Sequence, residues 1–206
     1  MSPAPRVGVL ALQGDVREHR RMLEQLGAQV RLVRTPQELA AVDALVLPGG
    51  ESSTIDKLSR IFGVAEPLRA RINAGMPVFG TCAGLILLAD RITDAAPGQQ
   101  TFGGLDVTVQ RNAFGSQLDS FEAEVASPNA GEPAATVAFI RAPVVVEVGA
   151  GAEALASVTG DRVVAVRQGK LLGIAFHPEV TGDTSWHRYF LELIEEADSA
   201  TVRSRP

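Results

Sequence analysis

Cysteine occurs once in 206 residues, at Cys82. A lone cysteine cannot close an internal disulfide, so a reducing, cytoplasmic setting is expected. Histidine is nearly as scarce. His19, His177 and His187 are scattered, with no zinc-type spacing, so no metal site is expected. No run of lysine and arginine stands out, and the net charge is −5 with a pI near 5.3. That balance argues against a nucleic-acid-binding surface. Long apolar runs are missing too. The stretch from Val7 to Leu12 is too short to span a membrane, and the first residues lack the apolar core of a secretory signal. Aromatic residues are only 5%. Two of them, Trp186 and Phe190, fall on a helical pattern and read as packing rather than as a ligand platform.

What is present is an ordinary globular composition, 46% hydrophobic and 21% charged. The length fits one domain over residues 1–206, with a core of about 7–197 and a disordered tail at 198–206. Val7 to Leu12 and Ala44 to Leu47 are continuous apolar runs of the kind buried in parallel sheets. Gln29 to Val33 and Val78-Phe79 read as two further strands. Helical spacing follows each: Val16, His19, Leu23 and Leu26, with Asp15 as cap and Gly27 as stop, then Thr35-Pro36, Ser52 to Arg60, Glu66 to Ala74, and Leu85 onward. The alternation predicts an α/β fold with a mostly parallel central sheet flanked by helices. Later strands are expected at Leu105 to Gln110, Phe121 to Ala126, Val137 to Arg141, Leu155 to Val158, Arg162 to Arg167 and Leu171 to Phe176. A last helix is expected over Thr184 to Ala197, and Ser127 to Ala135 reads as an exposed loop.

Three features fall beyond the carboxyl ends of predicted strands, where open α/β sheets bind ligands. Cys82 lies in Gly80-Thr-Cys82-Ala-Gly84, a sharp strand-to-helix turn resembling a nucleophile elbow. The following helix points its N-terminus at the sulfur, which favours thiolate. His177-Pro178-Glu179 follows a strand. In an extended segment, residues two apart face the same way, so Glu179 can orient the imidazole. Nucleophile, base and orienter then occur in the order Cys, His, Glu. Pro48-Gly49-Gly50-Glu51-Ser52-Ser53 offers backbone N–H groups for an oxyanion, with Gly50 and Ala83 as the donor pair. His19 and His187 read as packing residues.

The segments PGGES, GTCAG and HPE, in this order, resemble the class I (triad) glutamine amidotransferases. LALQGDVREH, LPGGESST, FGTCAGLILLA, RNAFGSQLDSFEA, FIRAP and FHPE are together similar to the family of glutaminase subunits of pyridoxal 5′-phosphate synthase. The resemblance implies a flavodoxin-like glutaminase fold, with Cys82 as nucleophile, His177 as base and Glu179 as its orienter. It also implies glutamine contacts from Gly50, Glu51, Ser52, Arg111, Ile140 and Arg141. The implied partner is a (β/α)8-barrel synthase subunit that uses the ammonia, and no metal or organic cofactor is implied. Two other readings cover part of the pattern. A glutaminase for imidazole-glycerol-phosphate or folate-type synthesis leaves RNAFGSQ and FIRAP unexplained. A cysteine-based stress sensor on the same scaffold would not need Glu179 two residues after His177.

Overall fold

The computed structural model describes residues 4–111, 120–129 and 131–203. Residues 112–117 of the RNAFGSQ segment lie outside that set. The first half alternates strand and helix: β1 (Arg6–Leu10), α1 (Val16–Gln25), β2 (Gln29–Val33), α2 (Pro36–Ala40), β3 (Ala44–Leu47), α3 (Ser52–Ile61), α4 (Ala65–Asn73), β4 (Val78–Thr81) and α5 (Ala83–Leu88). The second half is mainly strand: β5 (Ala89–Thr93), β6 (Leu105–Gln110), β7 (Ser120–Val125), β8 (Ala135–Ile140), β9 (Val144–Val148), β10 (Glu153–Val158), β11 (Arg162–Gln168) and β12 (Leu171–Ile174). Two helices follow, α6 (Pro178–Thr181) and α7 (Ser185–Arg203).

The strands form a ten-stranded sheet in the order β2-β1-β3-β4-β12-β11-β9-β6-β5, with β10 paired to β11. From β2 to β12 every pairing is parallel. Beyond β12 the pairings turn antiparallel, except β5 with β6. Every residue of β3, β4 and β12 is buried, as continuous apolar runs in a covered parallel sheet should be. Strands β7 and β8 form a separate two-stranded ribbon. It is tied to the main body by a bridge between Ala138 and His177, whose N–H donates to the Ala138 carbonyl at 2.9 Å. Trp186 and Phe190 are fully buried in the core.

Local chemistry explains several boundaries. Thr35 and Glu38 form a reciprocal capping box around Pro36, fixing the start of α2. Gly27, at φ 86°, follows the last turn of α1. Four expectations need correction. The apolar run from Leu85 reads as a helix but leaves the helical conformation after Leu88, because Ala89 to Thr93 pair with β6 at the sheet edge. Strand β9 was not anticipated, although Val144-Val-Val-Glu-Val148 is rich in β-branched residues. Helix α7 continues to Arg203, through the segment expected to be a disordered tail, since no Pro or Gly stops it before then. Asp15 occupies the N-cap position of α1, but its side chain makes no capping hydrogen bond.

Candidate active site

Four strand ends of the parallel sheet converge. The β4-to-α5 connection carries Cys82 at φ 49° and ψ −100°, a conformation that L-residues rarely adopt. It is anchored by the Cys82 N–H, which donates to the Ile174 carbonyl of β12 at 2.8 Å. The flanking glycines are sterically required. A Cβ on Gly80 would lie 2.4 Å from the Gly84 carbonyl carbon, and one on Gly84 would lie 2.2 Å from the Leu47 oxygen. The elbow therefore packs backbone against backbone, and the Cys82 side chain is left almost fully buried with Sγ 4.0 Å from the Ile140 carbonyl oxygen.

His177 follows β12 and lines the cavity beside Cys82, whose side chain acts on the imidazole electrostatically. Its Nδ1 donates to Glu179 Oε1 at 2.8 Å. Glu179 reaches the imidazole by a different route from the one expected. The backbone is not extended there: Pro178 opens the short helix α6, where proline's fixed φ is suited to the first position, and Glu179 bends back from the first turn. Asp15 supplies a second carboxylate, with Oδ2 3.4 Å from His177 Nδ1. Nothing in the sequence near Asp15 pointed to this, because its partner is more than half the chain away.

The charges are strongly coupled. Burial acts to lower the His177 pKa. Interactions with Asp15, Cys82 and Glu179, the Cys82 charge included, outweigh it and push it up to about 12. Burial would raise the Glu179 carboxyl, but His19 and His177 more than offset this and hold it well below the usual carboxylate range. The result is an imidazolium beside a buried carboxylate. Asp15, His177 and Glu179 bring one ligand atom each within 4.8 Å of one another. The His177–Glu179 hydrogen bond and the Asp15–His177 ion pair bring them together.

A cavity of about 270 Å³ opens over the sulfur. Cys82 and His177 line it together with Gly50, Glu51, Ser52, Arg111, Ile140 and Arg141, all of which the sequence nominated. Gln13, Asp15, Ile86 and Val180 complete it and were not nominated. Glu179 lies behind His177, and Ala83 is buried as the first residue of α5; neither lines the cavity. The Glu51 N–H donates to Gln13 Oε1 at 2.8 Å, pinning the β3 loop to the β1 loop. Arg111 is already engaged, donating to Glu51 Oε1 at 3.0 Å and Gln99 Oε1 at 2.8 Å. Gln99 also donates to Ser52 Oγ at 3.0 Å. Among the described residues Arg141 makes no ion pair, and it is exposed at the cavity wall. This is an arrangement for nucleophilic attack by sulfur with an adjacent proton carrier, inside a small cavity of mixed lining that carries both arginines and carboxylates.

The SNO glutamine amidotransferase family matches residues 9–196. The chain is 63% identical over 193 residues to the pyridoxal 5′-phosphate synthase subunit PdxT of Clavibacter sepedonicus, covering 94% of this chain and 92% of that one. It is 58% identical over 195 residues to the PdxT of Streptomyces coelicolor, covering 94% and 96%. Among solved structures, a glutamine amidotransferase at 48% identity superposes with a TM-score of 0.84, covering 92% of this chain and 98% of that one. A glutamine amidotransferase from Thermotoga maritima shares the fold at 16% identity, with a TM-score of 0.60 and coverage of 96% and 86%. No helix among the described residues is long and apolar enough to cross a membrane. The chain belongs to the SNO glutamine amidotransferase family.

Proposed function

We propose that this chain hydrolyses L-glutamine to L-glutamate and ammonia through Cys82, His177 and Glu179, and passes the ammonia to a synthase partner that makes pyridoxal 5′-phosphate. The observation that carries the reading is the strained elbow that presents Cys82 to a hydrogen-bonded His177–Glu179 pair at the floor of the cavity. The Cys82 thiolate attacks the γ-carboxamide carbon of glutamine. The resulting oxyanion accepts hydrogen bonds from the Gly50 and Ala83 N–H groups, each worth about 10²–10³ in rate. The His177 imidazolium gives its proton to the departing nitrogen, and ammonia leaves as the C–N bond breaks. Water then attacks the γ-glutamyl thioester, losing a proton to His177. Glutamate departs and the thiolate–imidazolium pair is restored. Glu179 keeps the imidazole in the tautomer this requires.

Substrate orientation falls to the cavity wall. The α-carboxylate of glutamine suits Arg141, whose guanidinium is not committed to an acidic partner among the described residues. Arg111, Glu51 and Ser52 form a hydrogen-bonded rim that holds the other polar end, with Ile140 packing on the aliphatic stem. The names of the PdxT relatives support a synthase partner, and the resemblance points to a (β/α)8-barrel. Ile140 and Val180, 40% and 53% exposed beside the cavity, would be covered by such a docking. The test is glutamate release with and without the synthase subunit. Cys82→Ser should abolish it in both cases without unfolding the chain, because volume barely changes while the thiolate is lost, a deficit of many orders in rate. Turnover by the Ser variant at the wild-type rate would refute the assignment.

A further inference from the structure

Behind Glu179 lies a buried polar chain that the proposed chemistry leaves unused. His19 of α1 and His187 of α7 are both fully buried. His19 Nδ1 stands 2.9 Å from His187 Nε2. His19 Nε2 stands 3.1 Å from Thr81 Oγ1 and 3.4 Å from Glu179 Oε1. Phe79 packs edge-on against both imidazoles. Two histidines in so apolar a place need a reason, since burying polar rings is costly unless their hydrogen bonds are used.

The proton positions follow from the contacts, assigned by hydrogen-bond pattern. A bare lone pair on His19 Nε2 would face the Glu179 carboxylate and be repelled by it, so His19 Nε2 carries a proton. His19 Nδ1 then accepts from His187 Nε2–H. That leaves His187 Nδ1 as a bare acceptor, and of the four ring nitrogens of this histidine pair it is the one with no partner among the described residues. The opposite assignment would bury an unpartnered N–H, which proteins avoid more strictly than an unpartnered acceptor. Glu179 Oε1 therefore faces two N–H groups, from His177 and from His19. Support of this kind is needed. Helix α6 has only four residues, too short to fix a side chain to the sub-ångström precision that a base's orienter requires.

We propose that His19, backed by His187, is a positioning residue of the glutaminase site. It clamps the Glu179 carboxylate beneath His177 and ties it through Thr81 to the strand end that carries Cys82. The inference rests on the reading that His177 is the base and Glu179 its orienter. The groups facing Glu179 are His177 beside it and His19 from α1, with Asp15 next to His177 and His187 behind His19. Without His19, burial of Glu179 is less opposed, so the carboxylate takes up a proton at higher pH. The acid limb of kcat/KM moves up.

The experiment is glutamate release by the chain with its synthase partner, for His19→Leu, His19→Gln, His187→Leu and Glu179→Gln, plus the double variant His19→Leu/Glu179→Gln. His19→Leu should lower kcat about 10- to 100-fold, the cost of slight misplacement, with KM unchanged and the acid limb raised. His19→Gln, whose amide can present an N–H near the Nε2 position, should recover most of both effects. Adding His19→Leu to Glu179→Gln should cost little more, because both act through one carboxylate. His187→Leu should give a smaller change of the same kind, and it carries the test if His19→Leu does not fold. An unmoved kcat and acid limb in the His19 and His187 variants would overturn the positioning role, as would full additivity with Glu179→Gln. If Glu179→Gln itself leaves kcat intact, the triad reading falls first and takes this inference with it.

Discussion

Acid should destabilise this protein through His187. The ring is fully buried, and burial, with a smaller contribution from His19, pushes its pKa from 6.5 down to about 3, against partial opposition from Glu179. Unfolding releases the ring to its ordinary value, so below pH 6.5 the unfolded chain binds a proton that the folded chain refuses. The stability is present in full above pH 6.5 and drains away as pH falls toward 3. The window from pH 6.5 to 4.5 lies clear of the other shifted groups. Glu179, Glu38, Asp43 and Asp106 are all lowered, so their contributions are lost only below the ordinary carboxylate values. His177 is raised, so its contribution is complete below 6.5 and is lost only as pH climbs toward 12. Each pH unit across the window contributes about 1.4 kcal/mol, which gives about 2–3 kcal/mol at its lower end. For a chain of this size that is a fall in Tm of about 5–10 °C. Thermal unfolding followed by circular dichroism across the window measures it. His187→Gln should start from a lower Tm at neutral pH and then hold nearly level. An acid slope in the variant equal to that of the wild type would refute the argument.

Three further outcomes are expected. Asp15→Asn removes one of the groups that raise His177, so the imidazolium is lost sooner and the alkaline limb of kcat/KM moves to lower pH; an unmoved limb would make Asp15 a bystander. Arg141→Ala should raise KM for glutamine with kcat little changed, because a charge-assisted hydrogen bond worth about 1.5–3 kcal/mol is lost; substrate-saturation kinetics in the complex read this directly. Gly84→Ala drives a methyl group to 2.2 Å from the Leu47 carbonyl oxygen. With backbone on both sides it should lower stability by about 1–3 kcal/mol, measured as a lower urea midpoint.

Much of this was legible because it is local. The apolar runs of β1 and β3, the capping box of α2 and the Gly-x-Cys-x-Gly turn each depend on residues close in sequence. The same holds for His177 and Glu179, which meet across a single proline, although a short helix and not extended chain joins them. What escaped depends on distant partners. His19 fell on the buried face of its predicted helix, but its hydrogen-bond partners come from β4 and α7, and no local pattern reports them. Asp15 looked like a cap because N-cap chemistry is local; its carboxylate turns instead toward an imidazole delivered by β12. Gln99, which links Arg111 to Ser52, sits in an irregular segment with no periodicity to mark it. At Ala89 the pairing offered by β6 overrode the helical pattern that ran into it.

The same tight packing that permits the elbow also fixes its surroundings. Cys82 is held in a conformation that costs on the order of 1–3 kcal/mol, so the neighbouring structure must over-determine it. Two backbone approaches do this. Gly80 and Gly84 close the turn upon itself and onto Leu47 of β3. Gly14 lies against Gly49, where a Cβ would come within 1.8 Å of the Gly49 oxygen, and the Asp15 N–H donates to that same oxygen at 3.1 Å. Gly49 in turn abuts the His177 ring, since a Cβ there would lie 2.3 Å from Cε1. The β1, β3, β4 and β12 ends are thus joined by contacts that admit no side chain. A shift at any one of them is transmitted to the sulfur or the imidazole with little slack to absorb it. Gly14 and Gly49 lie outside the Gly-x-Cys-x-Gly turn, yet the geometry between Cys82 and His177 depends on them as much as on the residues that carry the chemistry.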